Sequence, residues 1–439
     1  MSTTPATAEE IHTRAGGLLG ALASGDFGVA TRDFGDVMQS ALPPEKLAET
    51  WHGLVAQVGA LQAVDDLAVT PGEGLWAGVA SARFEKAELL IRMVFDPAGQ
   101  VVGLFFAPKP AAVSWAPPTY VDPAAFEERE VTVGSGPALP GILAIPRAAG
   151  PLPALVLVHG SGPNDEDETV GQVKVFKDLA GGLATRGIAV LRYVKRTRHN
   201  PSGVVTQKEE VLDAVRHAVA LLRAEPLVDP ARIFVLGHSQ GGYLAPRIAQ
   251  ENPGLAGVVI LAGSTRPLQD SMLEQLTYFQ SLDPGNPALA AMTDATRTFK
   301  ATVEDPALSA DQRIDLPTGG SLTGAYFLDV RGYDPPALAA TLGTPWLILQ
   351  GARDYQVTMA DFEGWRAALS GKDTAVLRVY PALNHLFVAG EGTPSPAEYQ
   401  QPGHVAEDVV REIAAWIASR EPARGPRSRR SWKSRGFIP

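Results

Sequence analysis

The sequence of 439 residues contains no cysteine and only eight histidines. The absence of cysteine excludes disulfides, thiol nucleophiles, iron–sulfur clusters and cysteine-ligated zinc, and so few histidines leave little material for any other metal site. Long apolar runs are also missing, because no stretch approaches the roughly 18 uninterrupted apolar residues that a membrane helix needs. We therefore expect no membrane span.

The body of the chain is poor in positive charge. Of 38 basic and 48 acidic residues, residues 420–439 hold seven and one, which leaves 31 basic and 47 acidic side chains elsewhere. A body this acidic repels phosphate backbones, so we expect no nucleic-acid partner. The basic tail over residues 419–439 is predicted to be disordered. The amino terminus has neither a basic start nor an apolar stretch, which argues against a secretory signal and favours a cytoplasmic location.

What the sequence does contain is an apolar fraction of 45%, enough for a large packed core. Before residue 60, apolar residues recur with helical spacing in two segments. Two strand-like segments then flank a turn at residues 96–99, as in a β-hairpin. These patterns predict a small α+β domain over residues 1–110, followed by a linker over residues 111–124.

Beyond residue 125, short apolar strands alternate with helical patterns. This alternation is typical of an α/β domain, in which a mostly parallel sheet is covered by helices on both faces. About 80 residues separate the strand that ends at Gly263 from the one that begins at Pro345, far more than a simple crossover needs. We predict an α/β domain over residues 125–418, with a helical lid insertion at about residues 264–344.

The strongest motif is Gly-His-Ser-Gln-Gly at residues 237–241, which directly follows an apolar strand and opens a helical segment. A serine in this strand–turn–helix setting is typical of a nucleophile elbow. Larger flanking residues would strike the neighbouring strand and helix, which explains the glycines. Ser239 is therefore the candidate nucleophile, at the carboxyl edge of the sheet.

A serine hydroxyl is a poor nucleophile at neutral pH, so it needs an oriented base, and the base needs a carboxylate. Asp354 and His385 follow the serine in chain order, and each lies just after a predicted strand. We predict that Ser239, His385 and Asp354 form a catalytic triad. Asp361, within a predicted helix, and Asp373 are weaker alternatives for the carboxylate.

Such a triad also requires donors for the oxyanion. The first candidate is the backbone N–H of Gln240, which follows the nucleophile. The second comes from the loop after an earlier apolar strand, where we favour Ser161 and keep Gly162 as an alternative. His159 and His238 are predicted to be framework residues packed around these turns.

Three basic residues, Lys195, Arg196 and Arg198, also follow a strand on this edge. One interpretation is that they receive an anionic part of a substrate. We favour the other, in which they form ion pairs with the acidic run at residues 165–168.

With these motifs the chain resembles the α/β-hydrolase superfamily, and more narrowly bacterial serine esterase or lipase-like hydrolases with an N-terminal domain of unknown function. The resemblance rests on HGSGPNDEDET, the Lys-Arg-Thr stretch, VLGHSQGG, ILQGARDYQV and LNHLF. It implies an α/β-hydrolase fold preceded by a small α+β domain with the cone shape of nuclear transport factor-like proteins. It also implies Ser239, Asp354 and His385 as the triad.

Two departures from that family pattern matter. Val194 stands before the Lys-Arg-Thr stretch, where such hydrolases often have Asp, and this weakens any role implied for Lys195 and Arg196. Gln240 stands after the nucleophile, where they often have Leu. A polar side chain is therefore expected beside the reaction centre, with an effect on the acyl group that is accepted.

The leading hypothesis is a serine hydrolase that cleaves small-molecule carboxylic esters through an acyl-enzyme, with no metal and no organic cofactor. Acyl transfer, cyclisation and peptide cleavage use the same triad and stay open, and a non-catalytic binding protein is the competing class. For the N-terminal domain, dimerisation and cover of the substrate entrance are two hypotheses. Specificity is expected to lie in the lid, where five side chains could line an acyl pocket or belong to the core: Met272, Leu276, Tyr278, Phe279 and Tyr326.

Overall fold

The structure is a computed structural model that describes residues 5–72, 75–109, 115–200 and 205–420. The chain divides into two compact units, Met1–Ala112 and Val113–Pro439. Most of the predicted tail, from residue 421 onward, and linker residues 111–114 lie outside the described residues. None of the described helices is both long enough and apolar enough to cross a membrane.

The first unit packs helices against an antiparallel sheet, whose strands pair in chain order. Its first helix begins with a capping box, in which the Thr7 hydroxyl accepts from the N–H of Glu10 and the Glu10 carboxylate accepts from the N–H of Thr7. The elements are α1 (Ala8–Ser24), α2 (Phe27–Ala30), α3 (Asp36–Ala41), α4 (Pro44–Val58), β1 (Leu61–Gly72), β2 (Leu75–Phe84), β3 (Glu88–Phe95) and β4 (Val101–Pro108).

The hairpin of β3 and β4 lies where the sequence predicts it, and Asp96 closes its turn by accepting from the N–H groups of Ala98 and Gln100. Strands β1 and β2 were not predicted from the sequence. The register of β1 shifts between Asp65 and Ala68, and β2 contains three alanines and one glycine, residues that favour strands weakly. The local sequence pattern of β1 and β2 is therefore weak, and hydrogen bonding to the neighbouring strands stabilises them.

The second unit begins with residues that the sequence analysis assigned to the linker. Trp115 donates from Nε1 to Asp178 at 2.8 Å, and Val121 is buried, so this segment packs on the unit. Its elements are β5 (Phe126–Val133), β6 (Leu139–Pro146), β7 (Leu152–Val158), β8 (Thr169–Val170), β9 (Val173–Lys174), α5 (Val175–Ala184), β10 (Ala189–Tyr193), α6 (Arg196–His199), α7 (Asp213–Ala224), β11 (Val228–His238), α8 (Gln240–Tyr243), α9 (Ala245–Glu251), β12 (Gly257–Leu261), α10 (Leu268–Leu282), α11 (Pro287–Glu304), β13 (Arg313–Asp315), β14 (Ser321–Thr323), α12 (Gly324–Leu328), α13 (Pro335–Thr341), β15 (Trp346–Gly351), α14 (Met359–Leu369), β16 (Ala375–Tyr380) and α15 (Glu407–Ala418).

The main sheet has the strand order β16-β15-β12-β11-β7-β10-β6-β5. Pairing is parallel from β16 to β10 and antiparallel between β10, β6 and β5. The carboxyl ends of the parallel strands therefore share one edge of the sheet. Residues that follow β7, β10, β11, β15 and β16 meet at this edge.

Both faces of the sheet are buried, which is why its strands read as continuous apolar runs. Since side chains alternate along a strand, Val156 and Val235 pack under α7, α9 and α14, whereas their neighbours Leu157 and Leu236 pack under α5 and α15. Burial of each such side chain contributes about 2 kcal/mol to stability. The predicted fold class, a mostly parallel sheet with helices on both faces after a small α+β domain, is confirmed.

Helices α10 to α13 lie between β12 and β15, in the stretch predicted as a helical insertion. The insertion has an apolar cluster of its own, to which Phe299 and Phe327 contribute edge-to-face ring contacts. Other parts of the insertion join the main core, where Ala339 of α13 is buried and Tyr278 of α10 stacks on the ring of Tyr355.

Candidate active site

Ser239 lies between β11 and α8 in a strained backbone conformation. Its φ of 50° and ψ of −111° fall where residues with side chains are rarely found. The flanking glycines are required by space, because a Cβ on Gly237 would lie 2.2 Å from the carbonyl oxygen of Gly241. A Cβ on Gly241 would lie 2.4 Å from the carbonyl oxygen of Val158. The turn thus excludes larger residues and holds a half-buried serine at the edge of the sheet.

Asp354 and His385 lie side by side after β15 and β16. The Nδ1 of His385 is 2.6 Å from Oδ2 of Asp354, and both residues are buried. Oδ1 of Asp354 accepts from the N–H groups of Gln356 and Val357, and Oδ2 also accepts from the Gln350 amide. Because Asp354 is surrounded by donors, it acts as an acceptor, and Nδ1 of His385 carries the proton. The Nε2 of His385 is then the basic nitrogen.

His385 and the elbow meet through His238. The Nε2 of His238 lies 3.0 Å from the backbone oxygen of His385, and the two ring centroids are 4.7 Å apart. Within the described ranges, neither Oγ of Ser239 nor Nε2 of His385 has a protein hydrogen-bond partner, so the two are not bonded to each other. Catalytic hydrogen bonds are often long in substrate-free sites, and the serine Oγ moves by rotation about one bond.

The predicted oxyanion donors lie on two segments next to Ser239. Gln240 opens α8, so its N–H has no acceptor within that helix. On the other segment, a Cβ on Gly160 would lie 3.1 Å from the Cβ of Ser239, which shows how closely this loop approaches the serine. The N–H of Gly160 already donates to Glu168 at 2.5 Å. The next amide along the loop belongs to Ser161.

Asn164 clamps the carbonyl side of this loop. Its Nδ2 donates to the backbone oxygens of Gly160 and Ser161, at 3.1 Å each. Gly162 follows with a φ of 88°, which only glycine adopts readily. No contact among the described residues shows whether the N–H of Ser161 or that of Gly162 is the second oxyanion donor.

Glu168, which was not among the predicted site residues, connects the loop at Gly160 to His238. The buried carboxylate binds the N–H of Gly160 and lies 3.0 Å from Nδ1 of His238. Burial alone would raise the pKa of Glu168, but the facing His238 outweighs it and holds that pKa below its usual value. For the same reason the pKa of His238 is raised, against the effect of burial. The only sequence signal was the membership of Glu168 in the acidic run at residues 165–168.

His159 and His238 are framework residues, as predicted. The Nε2 of His159 lies 2.9 Å from the backbone oxygen of Asp165, and its ring packs on Phe176 and Tyr193. Burial lowers the pKa of His159 to about 4, so this imidazole is neutral at pH 7.

The alternative carboxylates lie elsewhere. Asp361 is buried but accepts from Arg266 and from the N–H and hydroxyl of Thr265, at the base of the insertion. Asp373 is exposed before β16. Across the described part of the chain, no group of three or more His, Asp or Glu side chains is arranged to hold a metal ion.

The interpretation of the basic stretch was wrong for its first member. Lys195 is buried and pairs with Glu210 at 3.0 Å, not with the acidic run. The run is instead bound by Arg192, which lies 2.9 Å from Asp167. Arg196 donates to the backbone oxygen of Glu209, and Arg198 is exposed. Local sequence pattern does not decide between the acidic run and Glu210, because both lie outside the segment of Lys195.

The five insertion side chains are distributed over several contacts. Leu276 and Tyr326 are buried, and Met272 packs against the cluster of the insertion. Tyr278 and Phe279 contact the ring of Tyr355, which follows Asp354, and the two tyrosines stack with centroids 5.7 Å apart. The insertion thus reaches the segment that carries the carboxylate.

Fold and site together define a class of protein. The alpha/beta hydrolase family matches residues 155–399, more than half of the chain. The chain belongs to this family, which confirms the resemblance. The family described as protein of unknown function (DUF3887) matches residues 15–104, within the first unit.

Individual relatives carry more specific names. Esterase EstD from Thermotoga maritima is 38% identical over 402 residues, which cover 90% of this chain and 92% of that protein. Est1E from Butyrivibrio proteoclasticus is a structural neighbour with 16% identity and a TM-score of 0.44, covering 66% of this chain and 99% of that one. A puromycin-hydrolyzing peptidase from Mycobacterium tuberculosis has 16% identity and a TM-score of 0.46, covering 82% of this chain and 47% of that one.

Proposed function

We propose that this protein hydrolyses carboxylic esters, with Ser239 as nucleophile, His385 as general base and acid, and Asp354 as the orienting carboxylate. The observation that carries the proposal is the 2.6 Å contact between Asp354 and His385, next to a serine in a strained turn. The similarity to an esterase along 90% of the chain supports carboxylic esters as the substrate class.

The reaction follows from the proton positions. Asp354 keeps the proton of His385 on Nδ1, so Nε2 takes the proton of Ser239 as Oγ attacks the ester carbon. The tetrahedral intermediate then collapses with cleavage of its bond to the alkoxide. The alkoxide takes the proton from Nε2 of His385 and leaves as an alcohol. Water attacks the resulting acyl-enzyme in the same way, with Nε2 accepting its proton and returning it to Ser239.

In both steps the free-energy barrier comes mainly from the negative charge that develops on the carbonyl oxygen of the substrate. The N–H of Gln240, at the positive end of α8, and the N–H of Ser161 would donate to that oxyanion. Each such donor contributes about 3 kcal/mol to stabilisation of the transition state.

The test uses Ser239→Ala with p-nitrophenyl acetate and butyrate, and with a fluorophosphonate label that reacts only with activated serines. We expect loss of turnover and of labelling. Ser40→Ala is the matched control, since this exposed serine in α3 has the backbone oxygen of Asp36 as its only side-chain hydrogen-bond partner among the described residues. Turnover and labelling retained after Ser239→Ala would refute the assignment.

A further inference from the structure

Lys195 is a buried cation that the hydrolytic steps do not use. It follows β10, and 2% of its surface is exposed. Its ammonium has three N–H donors and meets three acceptors: Oε1 of Glu210 at 3.0 Å, the backbone oxygen of Gly160 at 2.6 Å and Oε1 of Gln240 at 2.8 Å. A buried charge requires such partners, but these three come from three separate segments.

Two of these acceptors belong to the segments that carry the oxyanion donors. The carbonyl of Gly160 and the N–H of Ser161 form one planar peptide group and point to opposite sides of it. A bond that fixes the carbonyl therefore fixes the direction of the N–H. Gln240 supplies the other donor from its backbone, and Lys195 holds its side chain.

We propose that Lys195 is a positioning residue that orients both oxyanion donors, through the carbonyl of Gly160 and the side chain of Gln240. The inference rests on the proposed ester hydrolysis. It assigns a function to a buried cation at the edge of the sheet where the proposed triad lies.

The insertion completes the same network. Nε2 of Gln240 donates to the hydroxyl of Tyr326 at 2.9 Å and lies 3.3 Å from Glu210, and the Tyr326 hydroxyl donates to Glu210. These bonds fix which way the Gln240 amide faces, since its oxygen meets the ammonium and its nitrogen meets acceptors. A leucine in place of Gln240 would leave one N–H of Lys195 without its acceptor.

The test variant is Lys195→Met combined with Glu210→Gln, which removes both charges and leaves no lone buried ion. We measure kcat and KM for p-nitrophenyl acetate, and inhibition by a trifluoromethyl ketone, which forms an oxyanion adduct with the serine. We expect kcat to fall about 10- to 100-fold, since complete loss of one donor costs about 100- to 1000-fold. KM should stay within about threefold, and the inhibition constant should rise by the same factor as kcat/KM falls.

The pH midpoint of kcat/KM should not move, because the variant leaves Asp354 and His385 intact. Arg186→Met is the matched control. This cation also binds a carboxylate, Glu407, and a backbone carbonyl, that of Gly182, but neither touches the elbow. We expect its kcat and inhibition constant to equal those of the unmodified protein.

Unchanged kcat and inhibition constant in a folded double variant would overturn the inference and leave ester hydrolysis standing. If the double variant does not fold, Gln240→Leu decides, with an expected loss of several-fold in kcat and an equal rise in the inhibition constant; no change would overturn the inference. An unmodified protein that neither hydrolyses esters nor takes the fluorophosphonate label would overturn the proposed function, and the inference with it.

Discussion

Two buried carboxylate–histidine pairs lie next to each other beside Ser239, and they differ in what the imidazole can do. In the pair of Glu168 and His238, both ring nitrogens are engaged, Nδ1 with the carboxylate and Nε2 with the backbone oxygen of His385, at 3.0 Å each. In the pair of Asp354 and His385, Nδ1 is engaged, and Nε2 has no protein partner among the described residues.

Both pairs consist of a carboxylate and an imidazole, so the other hydrogen-bond partners, rather than the residue types, distinguish the two histidines among the described residues. Glu168 accepts from the N–H of Gly160, and Nε2 of His238 contacts the backbone oxygen of His385, so the pair of Glu168 and His238 links the loop at Gly160 to the segment that carries His385. A histidine whose Nδ1 faces a carboxylate and whose Nε2 contacts a backbone oxygen has no nitrogen available for a substrate proton. Four changes test this distinction.

The largest effect is expected for His385→Ala. Loss of the base should lower kcat by about 10⁵-fold, because no group would then take the proton of the Ser239 hydroxyl as it attacks the ester. The measurement is kcat for p-nitrophenyl acetate, with circular dichroism to show that the variant folds. A fall of less than tenfold would mean that another group, such as His238, takes the proton.

Asp354→Asn comes next. An amide would donate to Nδ1 of His385 and force the proton onto Nε2, so kcat should fall by about 10⁴-fold with little change in KM. Asp361→Asn is the control, because that buried carboxylate binds Arg266 and Thr265 instead. Equal kcat losses in the two folded variants would remove the distinction between the carboxylates.

His238→Asn should affect stability more than rate. It leaves Glu168 buried without its cation, so the free energy of unfolding should fall by about 3 kcal/mol, while kcat of the folded protein falls by less than tenfold. The pKa of His238 is raised, so its contribution is present below pH 6.5 and is lost as pH rises through the folded pKa.

The pKa of Glu168 is lowered, so its contribution is present above pH 4.5 and is lost as pH falls through the folded pKa. The loss of stability on His238→Asn, measured by urea unfolding, should therefore be largest between about pH 4.5 and 6.5. A loss of stability that does not change with pH would contradict an ion pair.

The smallest effect concerns His159, a buried histidine without a direct carboxylate partner. Its pKa of about 4 lies below the ordinary 6.5, so the unfolded chain takes up a proton first and the folded state loses stability as pH falls through this interval. When the pH is lowered from 7.5 to 4.5, the free energy of unfolding of the unmodified protein should fall by on the order of 2 kcal/mol more than that of His159→Gln. If the stability difference between the unmodified protein and His159→Gln, measured by urea unfolding, were the same at both pH values, a neutral His159 would be contradicted.

Much of the site was predictable because it lies where local pattern is strong. The strand before Ser239 is a continuous apolar run, and the glycines around it report a turn that admits no side chain. Asp354 and His385 follow similar runs. Since parallel strands end at a common edge, chain order and strand ends were enough to predict that these residues lie close together.

Other features depended on which residues meet in the folded chain, and local sequence pattern does not specify that. Lys195 was expected to pair with the acidic run at residues 165–168, but Arg192 takes Asp167, and Glu210 reaches Lys195 from another segment. Strand β2 was not predicted either, because its three alanines and one glycine favour a strand weakly, and its pairing with β1 and β3 stabilises it.

By itself, the sequence determined the order of helices and strands in the second unit, the turn around Ser239 and the edge at which the site forms, because apolar periodicity and steric exclusion act between near neighbours. Only the tertiary structure decided which carboxylate meets which cation, and which histidine keeps a nitrogen free. Those choices depend on distances of a few ångströms between segments far apart in the chain, and no local pattern encodes them.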